Sequence, residues 1–143
     1  MPNRATLQLP ADAPCPCRNG AYGTCCGPAL DGGSAPSTAV ALMRSRYTAF
    51  ALSDIGYLLC SWDPSTRPRE LVLDDATEWR RLVVIDVVDG GPDDDTGIVE
   101  FRAVFRDADG RGELHERSRF VRRPDGWRYL DAVKADPEVR SVW

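Results

Sequence analysis

The stretch "GIVEFRAVFRDADGRGELHERSRFVRR", Gly97–Arg123, decides the fold that this 143-residue sequence predicts. Over Val99–Phe105 every second residue is apolar, which is typical of a strand with one buried face. The sequence "DADG", Asp107–Gly110, is a hairpin turn signal. Side chains alternate between two faces again over Leu114–Phe120. The stretch therefore predicts two antiparallel strands joined by a tight turn.

Two further strands flank this hairpin. The segment "RLVVIDVVD", residues 81–89, carries apolar residues on both faces, and the acidic loop 89–97 that follows it is expected to be solvated. The segment "WRYLDAV", residues 127–133, follows the turn "PDG". The second half of the chain thus predicts a four-stranded antiparallel meander.

Two helices precede the strands. Ser37 or Thr38 can cap a helix over residues 38–54, and Asp54 can cap a second, shorter one that ends before Pro64. Because the helices come first and the strands follow as a run, the pattern indicates an α+β fold. The glycine- and proline-rich segment 27–36 predicts a linker ahead of the first helix.

Arginines interrupt the apolar pattern of the first helix. Val40, Met43 and Tyr47 recur at helical spacing, whereas Arg46 lies off that stripe. We expect Arg44 and Arg46 to form a solvated face, with an ion pair to a carboxylate on the sheet as the alternative.

Four of the five cysteines fall within twelve residues, "CPCRNGAYGTCC", Cys15–Cys26. A disulfide between the neighbours Cys25 and Cys26 would close a strained ring, whereas bridges Cys15–Cys25 and Cys17–Cys26 remain geometrically possible. Zinc suits the residues better, because two close pairs of soft ligands supply four tetrahedral corners at a Zn–S distance of about 2.3 Å. Gly20 and Gly23 are expected to give the positive φ angles of the turn between the pairs.

A four-thiolate zinc site has a closed coordination sphere. It leaves no position for water or substrate, so the sequence predicts a structural rather than a catalytic metal. The energy of zinc binding, about 10–16 kcal/mol in small zinc modules, would replace a core that this segment cannot build.

The cysteine segment and the stretches beyond it carry a resemblance to a known family. The sequence "CPC…CCGP" resembles the SEC-C motif, and the stretches "TAVALMRSRYTAFALSDIGYLL", "SWDPSTR" and "LHERSRFVRRPDGWRYLDA" resemble the YchJ family of uncharacterised bacterial proteins. The resemblance spans residues 15–132. It implies a SEC-C-like zinc knuckle over residues 1–30 and a nuclear-transport-factor-two-like domain over residues 35–135, in which a curved antiparallel sheet and the helices form a cone. It places the zinc ligands on Cys15, Cys17, Cys25 and Cys26.

Charge and hydropathy exclude several classes of protein. The formal net charge is -4, and the knuckle offers Arg18 but little other positive charge, which argues against nucleic-acid binding. No apolar run reaches the ~18–20 residues that a membrane span requires. The N-terminal residues have no apolar stretch of a secretory signal, so we expect a cytoplasmic protein.

The interior of the cone is the second candidate site. Its possible lining residues are Trp62, Asp63, His115, Glu116 and Ser118. On their strand, His115 shares one face with two arginines, whereas Glu116 and Ser118 share the other. If Glu116 and Ser118 lie inside with Trp62, a small polar ligand is plausible.

The sequence supports two functional hypotheses. The first is a zinc-binding adaptor, in which the knuckle docks a protein partner and the cone is a scaffold. The alternative is a small-molecule-binding or enzymatic pocket in the cone. We assign no catalytic residue, because no nucleophile, phosphate-loop or acid–base signature is present, and this favours the first hypothesis.

Overall fold

The structure is a computed structural model that describes residues 9–74 and 76–133. It contains a short 3₁₀ turn, Tyr22–Thr24, and three helices: α1 (Gly27–Leu30), α2 (Ala39–Leu52) and α3 (Ile55–Cys60). Four strands follow: β1 (Glu78–Asp89), β2 (Thr96–Asp107), β3 (Gly110–Arg123) and β4 (Gly126–Ala132). The predicted order of helices followed by strands is confirmed.

The four strands form one antiparallel sheet in the order β1-β2-β3-β4. Asp107 pairs with Gly110 across the predicted hairpin turn, and Arg123 pairs with Gly126 across the next one. Register shifts interrupt both strand pairs at the ends of the sheet, and such irregularities bend and twist strands. The meander predicted from the alternating pattern is confirmed.

Side-chain caps define the two longer helices. The Thr38 side chain accepts a hydrogen bond from the backbone N–H of Ala41 at 3.1 Å, and Asp54 accepts one from Tyr57 at 3.0 Å. Each bond satisfies a backbone donor that has no partner within its helix. Ser53 ends α2 in the left-handed region, with φ 62°. Both predicted caps are confirmed.

Helix α2 lies at the centre of the molecule and is buried on almost all sides. It packs against the sheet, against α3 and against the N-terminal segment. Its buried residues are Ala39, Leu42, Met43, Ser45, Arg46, Tyr47, Thr48, Ala49, Phe50 and Leu52. The expectation of a solvated face at Arg46 is therefore wrong, because this side chain is 0% exposed.

The two faces of β3 differ as their alternation predicts. Leu114, Glu116, Ser118 and Phe120 are buried on the inner face, whereas His115 and Arg119 are exposed on the outer face. Phe101 and Val99 of β2 are buried beside them. The concave side of the sheet thus holds the core, and the convex side carries charge.

Strand β1 is an edge of the sheet in the described part of the chain, as the predicted meander implies. It carries apolar residues on both faces, yet only Leu82 is buried. Val83, Ile85, Val87 and Val88 are exposed by 37–45%. The register shifts between Val84 and Asp86, which interrupts the ladder with β2.

Two connecting segments position the sites. The segment 27–36 was expected to be a linker, but its first four residues form α1, which begins directly after Cys26. Residues 61–63 run beside β4, since Tyr129 donates to the carbonyl of Ser61 at 2.9 Å and Asp63 donates to that of Tyr129 at 2.8 Å. Among the described residues, no helix combines the length and the apolar character that crossing a membrane would require.

Candidate metal centre

The loop that carries the cysteines is closed by backbone hydrogen bonds. The N–H of Cys15 donates to Gly20 at 2.9 Å, and the N–H of Arg18 donates to Cys15 at 2.7 Å. Arg18 and Gly20 have φ angles of 62° and 132°. Glycine was expected to supply these angles, but a non-glycine residue, Arg18, holds one of them.

Gly23 and Gly27 are required for close packing rather than for positive φ. A Cβ at Gly23 would lie 2.6 Å from the Cβ of Ala11, and one at Gly27 would lie 2.7 Å from the carbonyl oxygen of Tyr22. Contacts this short force backbone movement. The two glycines therefore let the second cysteine pair approach the first.

The four sulfurs of Cys15, Cys17, Cys25 and Cys26 form a compact cluster. All four lie within 4.8 Å of one another. The contacts Cys15–Cys17, Cys17–Cys25, Cys17–Cys26 and Cys25–Cys26 measure 3.7, 3.4, 3.7 and 3.9 Å between sulfurs. A tetrahedron with metal–sulfur distances of about 2.3 Å has edges of about 3.8 Å. The cluster thus has the dimensions of a four-coordinate metal site.

All five cysteines are free thiols, so neither of the two disulfides that the sequence allowed is formed. Burial raises the pKa of the Cys25 thiol to about 12. Without a cation among the sulfurs this thiol therefore keeps its proton at neutral pH, and a metal must displace the proton when it binds. The chemistry of the donor set fits a soft divalent metal.

The cluster is joined to the main domain through α2. The side chains of Cys15, Cys17 and Cys26 are 1–3% exposed and belong to the same core as α2. Cys15 Sγ lies 3.6 Å from the hydroxyl of Thr48, which is fully buried in the middle of α2. A hydroxyl at this position can donate to a metal-bound thiolate. Sequence reasoning missed Thr48, and its only signal was a polar residue within the apolar helix.

Part of the second candidate site also comes together inside the sheet. Glu116 accepts hydrogen bonds from Ser118 at 2.6 Å and from the Tyr129 hydroxyl at 3.0 Å. The ring of Trp62 packs edge-on against Tyr129, with 5.1 Å between centroids. The structure thus brings Trp62, Glu116 and Ser118 to the concave side of the sheet, and their role in ligand binding stays a prediction.

Arg46 lies within this buried polar group. Its guanidinium donates to the carbonyl of Leu58 at 2.8 Å and to Ser61 at 2.7 Å. It lies 4.7 Å from the ring centroid of Tyr129 and 5.1 Å from that of Trp62, which are cation–π distances. Burial lowers the pKa of Arg46 to about 10, so it stays charged at neutral pH.

Asp63 and His115 lie apart from that group. Asp63 is buried and accepts two hydrogen bonds from Arg123, at 2.8 and 3.1 Å, which hold its pKa well below the usual range. His115 is exposed on the convex side, where its Nε2 lies 2.7 Å from Glu100. Arg117 bonds to the same carboxylate at 3.0 Å. The five predicted pocket residues therefore do not share one face.

Known proteins share this architecture. The family described as "YchJ, middle NTF2-like domain" matches residues 38–132. A UPF0225 protein of Streptomyces coelicolor is 49% identical over 124 residues, which cover 86% of this chain and 97% of that protein. A UPF0225 protein of Corynebacterium efficiens is 48% identical over 121 residues, covering 82% of this chain and 91% of that protein.

Two solved structures of proteins described as containing a SEC-C motif have a similar fold. The solution structure of a SEC-C motif containing protein from Rhodopseudomonas palustris has a TM-score of 0.70 at 31% identity, covering 82% of this chain and 94% of that one. The crystal structure of a SEC-C motif containing protein from Psychrobacter arcticus has a TM-score of 0.69 at 28% identity, with coverages of 92% and 85%. The chain therefore belongs to the UPF0225 family of YchJ-like proteins, with an NTF2-like α+β domain behind an N-terminal cysteine cluster.

Proposed function

We propose that the protein is a structural-zinc protein whose knuckle, the segment over residues 1–30, docks a segment of a partner protein, with the NTF2-like domain as its scaffold. The observation that carries the proposal is the set of four sulfurs with the spacing of a tetrahedral site. Four thiolates favour zinc over harder cations and leave no open coordination position. The metal therefore holds the knuckle in shape and takes no part in chemistry.

A groove beside the metal centre supports the docking role. It has a volume of about 360 Å³ and lies between the second cysteine pair, the segment 34–37 and the first turns of α2. Asn19, Thr24, Ser37 and Arg44 contribute polar side chains to its walls. An extended peptide has unpaired backbone donors and acceptors, which such side chains can satisfy. Because Cys25 and Cys26 line the groove as well, the metal fixes its shape.

The test is capture of a partner from a lysate of the organism that encodes the protein, on immobilised protein, combined with zinc analysis of the same sample. Cys25→Ser should lose zinc and the captured protein together. Thr24→Arg should keep zinc and lose the captured protein, because Thr24 is exposed on the groove wall. Ala76→Arg adds the same charge at an exposed position far along the chain and should change neither.

Each part of the proposal can fail separately. Purified protein that contains two disulfides and no zinc contradicts the metal assignment. Zinc-loaded protein whose captured partners survive Thr24→Arg contradicts docking in the groove.

A small polar ligand on the concave side of the sheet is the second candidate function. It is favoured by Arg46, whose Nε and Nη2 have no hydrogen-bond partner in the described part of the chain although the side chain is fully buried. Buried donors without a partner are costly, and a ligand that accepts from them would recover that energy. A ligand can be sought by thermal-shift screening. Tyr129→Phe removes the hydroxyl that orients Glu116 and should weaken binding of that ligand. The ligand-induced thermal shift of Thr24→Arg should match that of wild type.

A further inference from the structure

Five arginine side chains surround one cleft between the knuckle and the hairpin end of the sheet. The cleft has a volume of about 340 Å³ and is lined by Arg18, Arg80, Arg81, Val104, Arg106 and Arg111. We call it the arginine cleft. Since the whole chain has a net charge of -4, this concentration of positive charge is local. Clefts lined by one sign of charge attract ligands of the opposite sign.

The cleft is assembled from four separate segments. Arg18 belongs to the cysteine loop, Arg80 and Arg81 to β1, Arg106 to the end of β2 and Arg111 to the start of β3. The position of Arg18 is fixed by its left-handed φ of 62° and by the bond from its N–H to Cys15. The loop that carries the metal ligands therefore also places one wall of the cleft.

Within the described residues, the charges of the cleft are only partly neutralised. Among the described residues, Arg80 pairs with Glu78 at 3.1 Å, and none of the other four arginines has a carboxylate within ion-pair distance. Arg106 and Arg111 are direct cross-strand partners in the sheet. Like charges that face each other across strands are destabilising. A bound anion would remove this repulsion.

The chemistry of the lining selects the anion. Guanidinium groups match phosphate oxygens with paired hydrogen bonds, and each phosphate group concentrates more charge than a carboxylate. The lining has no aromatic side chain on which a nucleic-acid base could stack, and Asp107 and Asp109 in the adjoining turn would repel a long strand. The volume lies within the range of small-molecule sites, roughly 300–1,000 Å³.

We propose that the arginine cleft binds a small molecule that carries adjacent phosphate groups. This inference goes beyond protein docking, because it concerns a different surface and a different class of ligand. It assigns to Arg18 the task of joining the metal loop to the ligand. It also gives a function to the facing pair Arg106 and Arg111, because anion binding offsets the repulsion between the two charges.

The experiment titrates zinc-loaded full-length protein with sodium tripolyphosphate and follows thermal unfolding and the heat of binding. Saturating tripolyphosphate should raise Tm by about 3–10 °C. Arg111→Gln should weaken binding by about tenfold or more, because it removes charge-assisted hydrogen bonds. Without ligand, the same variant should have the Tm of wild type or a higher one, since it removes the positive charge that faces Arg106. Zinc is measured afterwards to show that the probe has not extracted the metal.

Arg119→Gln is the matched control. It removes the same charge from an exposed position on the same strand, outside the cleft, where Arg119 pairs with Asp131 at 2.6 Å. It should keep the affinity of wild type. Equal weakening by both variants, no binding by wild type, or a lowered Tm in ligand-free Arg111→Gln overturns the proposal. So does tighter binding of polyglutamate or of a single-stranded oligonucleotide than of tripolyphosphate.

Discussion

The knuckle and the sheet domain obtain their order in different ways. In the described part of the knuckle, residues 9–30, the buried residues are three cysteines and Gly27. The domain instead buries Tyr47, Phe101, Trp127 and other large side chains in a continuous core. Buried thiols contribute little apolar area of their own, so we expect the knuckle to need the proposed metal, whereas a large apolar core stabilises itself. The two regions thus differ in what their order is expected to depend on: a bound metal in the knuckle, and the apolar pattern of the sequence in the domain.

The largest expected effect follows from the proposed zinc site. Cys25→Ser removes one of four ligands, and most of the zinc-binding energy, about 10–16 kcal/mol in small zinc modules, is lost with it. We expect zinc content to fall from about one per chain to a small fraction of that. Signals of the knuckle should disperse poorly in NMR spectra while those of the sheet persist.

Cys60→Ser is the matched control for that variant. Cys60 is exposed and lies outside the cluster, so its replacement should leave zinc content at the wild-type value. Equal loss of zinc in the two variants would mean that the cluster is not the metal site.

The next effect concerns the independence of the two regions. A shortened chain that begins at Gly32 retains the apolar pattern of the helices and that of the strands. We expect it to unfold cooperatively on heating. Its Tm should be lower than that of the whole protein, because the knuckle no longer covers Thr48 and its neighbours on α2. If chelation of zinc melted the entire protein in one transition, the two regions would form a single cooperative unit.

A smaller effect tests a polar contact of the domain alone. Asp63→Asn removes the buried carboxylate that holds Arg123 and should lower the free energy of unfolding by about 1.5–3 kcal/mol. Zinc content should not change. Asp131→Asn removes the same kind of pair at an exposed site and should cost below about 1 kcal/mol. Denaturant unfolding measures both, and equal losses would show that burial of Asp63 adds nothing.

The smallest effect is the pH dependence of that contact. Because hydrogen bonds from Arg123 hold the pKa of Asp63 below its unfolded value of about 3.9, its contribution is complete above that value. It is lost as the pH falls through the lower, folded pKa. The difference in stability between wild type and Asp63→Asn should therefore be constant from pH 8 to about 5 and narrow below about 4. A difference that widened on acidification would contradict this assignment.

Much of the fold follows from local signals. The caps at Thr38 and Asp54, the turn at residues 107–110 and the alternation of β3 each depend on neighbours within a few positions. The cysteine cluster is predictable for the same reason, since all four ligands lie within twelve residues. Such features depend on local sequence and not on contacts between distant parts of the chain.

The remaining features depend on residues far apart in the chain. The buried guanidinium of Arg46 packs on the rings of Trp62 and Tyr129. The residues next to Arg46 in the sequence do not indicate these contacts. The arginine cleft likewise joins Arg18 to residues 80–111. The predicted meander already places β1 at an edge, but its apolar residues gave no sign that four of them would be exposed.

The exposed apolar edge of β1 has a consequence for aggregation. Among the described residues β1 has a strand partner on one side only, and an edge with exposed Val83, Ile85 and Val87 is the kind of surface on which another chain can add a strand. The register shift before Asp86 and the charge of Asp86 itself interrupt that template at its centre. Asp86, which pairs with Arg117, is therefore expected to disfavour aggregation through this edge. An apolar substitution at this position should leave the fold intact and make a concentrated solution aggregate sooner.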